Sequence, residues 1–342
     1  ITADVAVKAL TATASTANKT YDGTTTATTT LTFTGLVGSE TLGQTVGSTF
    51  NNKNVGTGKS VTVNSITLAD GSNGGLAANY SISPGQTTTA HISKKSLTVS
   101  SISASNKAYD GNAIATSTIT LSGFVGSETL TSSNLSSFNN KNVGTGKTVT
   151  VNSITLANGN NGGLATNYSI SSGQNTTANI TAKALTVSGI TASNKTYDGN
   201  AVATLEATSV VYTGRVAGDD FTGTYTGVFA DANVGTNKTV TITPTYSGTD
   251  TSNYTVTDQS STTANIIVKT LTANASAANK TYDATNAATT TLTLSGLIGM
   301  ETLTSTNTST FDNKNVGTGK SVTVNSITLA NGSNGGLAAN YS

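Results

Sequence analysis

Cysteine and tryptophan are absent from the 342 residues, histidine occurs once, at His91, and aromatic residues make up 5%. With no thiol and a single imidazole, the usual nucleophile, general-base and metal-ligand chemistries have almost nothing to work with. No enzyme activity, cofactor or metal site is expected. The missing cysteines exclude a disulfide framework and leave the redox compartment open. Charge is scarce too: charged residues are 10%, against the roughly 25% of an ordinary soluble protein. Seventeen basic and sixteen acidic side chains leave a net charge of +1, so no basic excess exists to neutralise a phosphate backbone and nucleic acid is not an expected partner. No run approaches the ~20 consecutive apolar residues of a membrane helix, so membrane insertion is not expected. Residues 1–30 carry no basic segment followed by an apolar one, the pattern of a signal peptide.

Threonine is abundant, about a fifth of the chain, and glycine (35), serine, asparagine and alanine supply much of the rest. This mixture favours strands and turns over helices. It is also periodic. Tyr21-Asp22-Gly23 recurs as Tyr109-Asp110-Gly111, Tyr197-Asp198-Gly199 and Tyr282-Asp283-Ala284. Asn54-Val55-Gly56 recurs in step at Asn142, Asn233 and Asn315, and Asn79-Tyr80 returns as Asn167-Tyr168, Asn253-Tyr254 and Asn340-Tyr341. Three markers in fixed order define four tandem units, each too long for a solenoid rung and of the size of a small domain. The units run over residues 8–94, 95–182, 183–268 and 269–342, and residues 1–7 read as the end of a preceding repeat.

Within a unit, Leu31-Thr32-Phe33, Val61-Thr62-Val63 and Leu185-Thr186-Val187 alternate apolar with polar, the period of half-buried strands. Clusters such as Asp70-Gly71-Ser72-Asn73-Gly74-Gly75 separate them with residues that accept positive φ. About seven short strands per unit predict an all-β fold: four immunoglobulin-like antiparallel β-sandwich domains in an extended rod. The expected core of the first unit is Leu10, Tyr21, Leu31, Phe33, Leu36, Leu42, Phe50, Val55, Val61, Val63, Ile66, Leu68, Tyr80, Ile82 and Ile92. No Gly or Pro lies between Thr87 and Ser103. The junction is therefore neither a flexible Gly/Ser linker nor a stiff Pro-rich one, and one strand should run almost directly into the next unit. Ile1-Thr2 matches Ile180-Thr181 at the end of a unit. The fourth unit stops at Ser342, before its last strand, as in a window cut from a longer array or in a chain whose missing strand another chain supplies.

The carrying residues Asn18-Lys19-Thr20-Tyr21-Asp22-Gly23, Phe50 to Lys59 and Asn79-Tyr80-Ser81-Ile82, with their later copies, resemble the YDG or MBG-type repeats of large bacterial surface adhesins, including filamentous-haemagglutinin-like proteins exported by two-partner secretion. The resemblance covers essentially the whole chain. It implies an extracellular stalk at the bacterial cell surface, holding an adhesive tip away from the cell. Its partners would be adjacent repeats of the same chain, homotypic chains in a filament, or surface glycans.

The candidate functional residues are the repeat motifs: Tyr21, Asp22, Tyr109, Asp110, Tyr197, Asp198, Tyr282 and Asp283, with Asn79, Tyr80, Asn167, Tyr168, Asn253, Tyr254, Asn340 and Tyr341. The Tyr-Asp-Gly motif reads as a turn, with Asp accepting backbone N–H bonds and the ring packed inside with its hydroxyl at the rim. One acid per motif is few for calcium, which takes six to eight oxygens. Ala284 in the glycine position suggests that positive φ is not essential there. Gly56-Thr57-Gly58-Lys59-Ser60 imitates a phosphate loop but precedes a strand instead of a helix. Asp219, Asp220 and Asp231 form the nearest approach to paired carboxylates and read as a solvated loop. His91, replaced by Asn179 and Asn265 in other units, reads as a strand-surface residue.

Overall fold

The computed structural model describes all 342 residues, and its regular structure is β-strand, with only single turns of 3₁₀-helix. No helix is long and apolar enough to cross a membrane. The chain forms two compact units. One comprises Ile1–Ala108 with Asn112–Thr181, the other Tyr109–Gly111 with Ala182–Ser342.

In the first repeat the strands are β1 (Lys8–Ala9), β2 (Thr11–Thr16), β3 (Lys19–Thr20), β4 (Thr26–Ala27), β5 (Thr29–Thr34), β6 (Leu42–Phe50), β7 (Gly56–Asp70), β8 (Tyr80–Ser81) and β9 (Thr87–Ser93). A five-stranded sheet runs in the order β3-β9-β7-β6-β4. Its spine is the β6–β7 hairpin, in register from Leu42 opposite Asp70 to Phe50 opposite Val61, with a bulge at Gly47/Ser48. A bulge adds a residue to one strand and sharpens the local twist. Strand β2 pairs β5 antiparallel. The alternation read from the sequence is the alternation of burial: Val61 and Val63 are buried while Thr62 faces water. Of the expected core, Leu10, Tyr21, Leu31, Phe50, Val61, Val63, Tyr80 and Ile92 are buried, and Phe33, Leu36, Leu42, Val55, Ile66, Leu68 and Ile82 are half-buried.

Two features differ from an antiparallel sandwich of about seven strands. The sheets are mixed: β1 runs parallel to β8, and β3 runs parallel to β9. Period-2 patterning marks a strand but carries no information about the direction of its partner, which is fixed by contacts more than 70 residues apart. The interior is also partly polar. Thr29 and Ser48 are buried, with Thr16 Oγ1 2.6 Å from Thr29 Oγ1, and Thr29 Oγ1 2.7 Å from Ser48 Oγ, which also donates to the Ala27 carbonyl. Threonine and serine therefore fill solvent-facing strand positions and also lace the inner face, where each hydroxyl needs a partner.

The second repeat reproduces this plan, with a five-stranded sheet built on Gly144–Asn158. Strand β9 is separated from the next strand, Lys95–Ser96, by Lys94 alone, so no linker intervenes. In the second unit, the third repeat has the same five-stranded sheet, built on Gly235–Ser247. The fourth repeat keeps three of those strands, Ala287–Ala288, Leu303–Phe311 and Val322–Asn331, and Val322–Asn331 pairs on one side only. Val322 and Val324 are consequently half-buried, where Val240 is 0% and Ile242 5% exposed.

Candidate functional site

The repeat motifs converge where one repeat meets the next. Each begins as a local turn. Asp22 Oδ1 accepts the Thr24 N–H and hydroxyl at 2.9 Å, and Lys19 Nζ donates to Asp22 Oδ1 at 2.8 Å and to the Thr24 and Thr26 carbonyls. Burial pushes the Asp22 carboxyl up, but Lys19 and the Thr24 donors outweigh it and hold it below its ordinary value. In the fourth repeat the Thr285 N–H, with Lys280 and the Thr285 hydroxyl, holds Asp283 at about 2. These aspartates organise a turn, as the motif predicts, and Gly23 takes φ +78°.

The turn projects Tyr21 into the second repeat. Its hydroxyl donates to Glu128 Oε1 at 2.7 Å, while Tyr168 of the second repeat donates to Glu128 Oε2, also at 2.7 Å. The two rings meet edge-on with centroids 5.5 Å apart, a favoured aromatic geometry. Lys53 Nζ donates to Glu128 Oε1 at 2.9 Å. A second clasp flanks the first: Val55 N–H donates to Asn167 Oδ1 at 2.9 Å, and Asn167 Nδ2 donates to Asn54 Oδ1 at 3.1 Å. All three sequence markers thus belong to one assembly, Tyr-Asp-Gly and Asn-Val-Gly from one repeat and Asn-Tyr from the next. Val55, Leu121, Phe124 and Val125 pack around it.

Glu128 is 6% exposed and carries the only charge among these acceptors. Burial raises its carboxyl, yet the bonds from Tyr21, Lys53 and Tyr168 outweigh that and hold it below its ordinary value. The same burial, with the Glu128 bond, pushes the Tyr168 phenol up to about 12. Both shifts keep the pairing in its charge-assisted form, anionic acceptor with neutral donors.

The second unit repeats the arrangement between the third and fourth repeats. Tyr197 and Tyr341 donate to the two oxygens of Glu301 at 2.6 Å each, with rings 5.4 Å apart. Val234 N–H donates to Asn340 Oδ1, and Asn340 Nδ2 to Asn233 Oδ1. Within the same unit Tyr109 donates to Asp219 Oδ1 and Oδ2 at 3.0 and 2.9 Å, and Tyr254 donates to Asp219 Oδ2 at 2.5 Å. Asp219 is therefore a half-buried acceptor between tyrosines and not part of a solvated loop. Its neighbours are occupied as well: Asp220 Oδ2 accepts the Thr249 N–H, and Asp231 pairs with Lys238 at 2.7 Å.

The sequence motifs did not disclose Glu128, Glu301 and Asp219. A signal existed: Gly38-Ser39-Glu40, Gly126-Ser127-Glu128, Gly218-Asp219 and Gly299-Met300-Glu301 recur once per repeat. The glycine of Tyr-Asp-Gly also needs a second reason. Ala284 keeps φ at +65°, so positive φ is retained there, contrary to the expectation from the substitution. A Cβ on Gly23 would lie 2.7 Å from Val125 Cγ1, and one on Gly199 2.8 Å from Ile298 Cγ2. Glycine is required by a neighbouring repeat's close approach, and no residue crowds Ala284 in this way.

The remaining candidates have structural duties. Gly58 N–H donates to His91 Nδ1 at 2.9 Å, as Gly146 N–H does to Asn179 Oδ1 and Asn237 N–H to Asn265 Oδ1 at 2.7 Å. The phosphate-loop imitation is thus a turn at the start of β7, fastened by an acceptor side chain from the last strand. At the outer faces, Tyr80 donates to Glu40 Oε2, Asn79 is exposed where Asn167 is 0% exposed, and Tyr282 is 56% exposed where Tyr21 is 1% exposed.

Neither a curated protein nor a solved structure matches the chain. The YDG domain model matches residues 6–90, 93–178, 181–264 and 267–342, and the chain belongs to the YDG domain family, as four of these domains in tandem.

Proposed function

We propose that the chain is a non-enzymatic structural spacer: immunoglobulin-like β-sandwich repeats in an extended rod, forming part of an extracellular stalk or surface filament of a bacterial adhesin. Its role is reach and stiffness, projecting an adhesive tip in cell-surface or biofilm adhesion. The observation that carries the reading is the fate of the repeat motifs. Tyr21, Tyr168 and Asn167, and in the second unit Tyr197, Tyr341 and Asn340, bind neighbouring repeats to each other. A nearly neutral Thr/Ser/Asn surface suits such a spacer by limiting nonspecific attraction. Small-angle scattering of the four-repeat chain tests it: the maximum dimension should approach the summed lengths of four repeats, and a compact globule or a freely jointed chain refutes it.

A glycan-binding role is the second reading, and one feature of the third repeat favours it. Tyr212, Tyr225 and Tyr246, of which only Tyr212 has an aromatic counterpart in another repeat, Phe33, are half-buried around Phe221, with Tyr212 and Phe221 rings 5.4 Å apart and Tyr225 and Tyr246 6.4 Å apart. Aromatic faces of this kind stack on sugar rings. A glycan array on the wild-type chain and on Tyr246→Ala separates the readings.

A further inference from the structure

We infer that the groove between β7 and β8 of the first repeat is a docking site for a neutral, extended segment of a partner protein, which adds as a strand and lays a tyrosine ring between Leu68 and Ile82. The site begins with an asymmetry in β7. Strand β9 lies beside only its first half, from Gly56 opposite Ile92 to Thr62 opposite Thr87, with the Val63 N–H on the Gln86 carbonyl. Beyond that point residues 66–70 pair with β6 alone. Strand β8 is likewise paired on one side, with β1.

Where the two unpaired edges face each other lies a groove of about 470 Å3, with Ile66, Thr67 and Leu68 on one wall and Tyr80, Ser81 and Ile82 on the other. Successive residues of a strand point to opposite faces. A groove touching three in a row on each wall therefore runs along strand edges and not over a sheet face. An edge of this kind is completed by an added strand, whose backbone supplies the affinity while a side-chain pocket supplies the selectivity. None of the six lining residues carries a charge at neutral pH, which favours a neutral segment over an acidic or basic one.

The third repeat identifies the side chain that enters. Its hairpin sets Phe229 opposite Val240 as the first sets Phe50 opposite Val61, and six residues back Gly223 lies opposite Tyr246 as Gln44 lies opposite Leu68. Tyr246 thus stands at the place of Leu68. Strand Tyr254–Thr257 begins at the counterpart of Tyr80 and so takes the place of β8. Tyr246 crosses the corresponding gap: its ring lies against Phe221 with centroids 5.1 Å apart, and its hydroxyl donates to Asp258, just past that strand. The third repeat fills with its own phenol the space that the shorter Leu68 leaves open in the first. Pro84 stands at the place of Asp258, four residues after the tyrosine of Asn-Tyr in each case, and its side chain offers no acceptor, so an incoming hydroxyl would stay in water while the ring is covered.

Methyl spectra of the 342-residue chain labelled at isoleucine, leucine and valine test the proposal, with the peptide acetyl-Thr-Thr-Tyr-Thr-Thr-amide as probe. The Ile66, Leu68 and Ile82 methyls should shift saturably, and amide exchange over residues 66–70 should slow. The same peptide with alanine in place of tyrosine should bind roughly tenfold more weakly, the loss of one covered ring. Leu68→Tyr should fill the groove and abolish the shifts with the melting temperature unchanged. Tyr246→Leu should open the third repeat, so that the peptide now shifts the Val256 methyls, which stand at the place of Ile82 and stay silent in wild type; this second variant decides the matter if the first folds poorly. No shift at Ile66, Leu68 and Ile82 with millimolar peptide overturns the proposal, as do shifts that survive Leu68→Tyr undiminished. Equal binding of the alanine peptide overturns the tyrosine assignment, and shifts produced by methyl glucoside but not by the peptide overturn the strand. The spacer reading is independent of these results, because scattering measures the chain's length without peptide.

Discussion

Glu128→Ala removes one side chain from which three bonds radiate, and the structure sets the size of the loss. Two are donated by phenols whose rings are 1% exposed, Tyr21 and Tyr168, each 2.7 Å from the carboxylate. A hydrogen bond to a charged group is worth about 1.5–3 kcal/mol, and a buried donor left without a partner forfeits a comparable amount. The third comes from Lys53, whose side chain is 39% exposed, so solvent screening limits it to about 1 kcal/mol or less. Relief of the desolvation of Glu128 itself offsets part of the total, giving a net cost of about 3–5 kcal/mol, the range for breaking a buried charged pair. For a unit of this size each kcal/mol moves Tm by about 2–4 °C, so scanning calorimetry should show the transition of the first unit lowered by about 10 °C. Hydrogen exchange should quicken at Tyr21–Thr24 and Val125–Thr129. Glu301→Ala should reproduce the effect in the second unit, at Tyr197 and Tyr341. A shift of a degree or less, or faster exchange spread evenly over both units, refutes the argument that this carboxylate fastens the first two repeats.

Acid should loosen the same junction. The Glu128 carboxyl is held below its ordinary value of 4.5, so its contribution is fully present above the unfolded value and is lost as pH falls through the lower folded one. Melting followed from neutral pH to about pH 3 should fall more steeply for wild type than for Glu128→Gln. Alkali acts with the opposite sign. Tyr168, Tyr197 and Tyr254 are each raised to about 12 by burial and their carboxylate partners. Their contribution is therefore present below the unfolded value of about 10 and is lost as pH rises towards 12. Ultraviolet titration of tyrosinate should resolve a late-ionising class that Glu301→Ala diminishes. Gly23→Ala adds a Cβ 2.7 Å from Val125 Cγ1 at φ +78° and should cost about 1–3 kcal/mol in urea unfolding. Ala284→Gly, where nothing crowds the site, should change monomer stability by less than about 1 kcal/mol.

The repeat, its strands and much of its core were legible because each depends on local or periodic information. Val61-Thr62-Val63 announces its two faces by alternation, and Tyr-Asp-Gly announces its turn. What the chain does with the motifs was not legible, because Tyr21 finds its acceptor 107 positions away. Gly-Ser-Glu reads as an ordinary polar loop until the tyrosines on either side of it are placed. The same blindness explains the parallel pairings of β3 with β9 and β1 with β8. Ala284 was misleading for a related reason: one sequence cannot show whether a glycine serves its own backbone or makes room for a neighbour. At Gly23 it does both.

The parallel pairing of β3 with β9 has a mechanical corollary. β9 is the last strand of a repeat, while β3 follows β1 and β2 near its start. Once tension has drawn β1 and β2 away, it reaches β3 from its N-terminal end and β9 from its C-terminal end, and pulls these neighbouring parallel strands in opposite directions along their length. Their cross-strand bonds, Lys19–Thr20 to Ile92–Ser93 with Tyr21 N–H to the Ser93 carbonyl at 2.9 Å, lie across the pull and must yield together, as a shear, instead of opening one at a time like a zip. The Tyr21 ring is anchored at that same spot to Glu128 of the following repeat. A force that strains the ladder of one repeat must therefore also work against the clasp that holds the next.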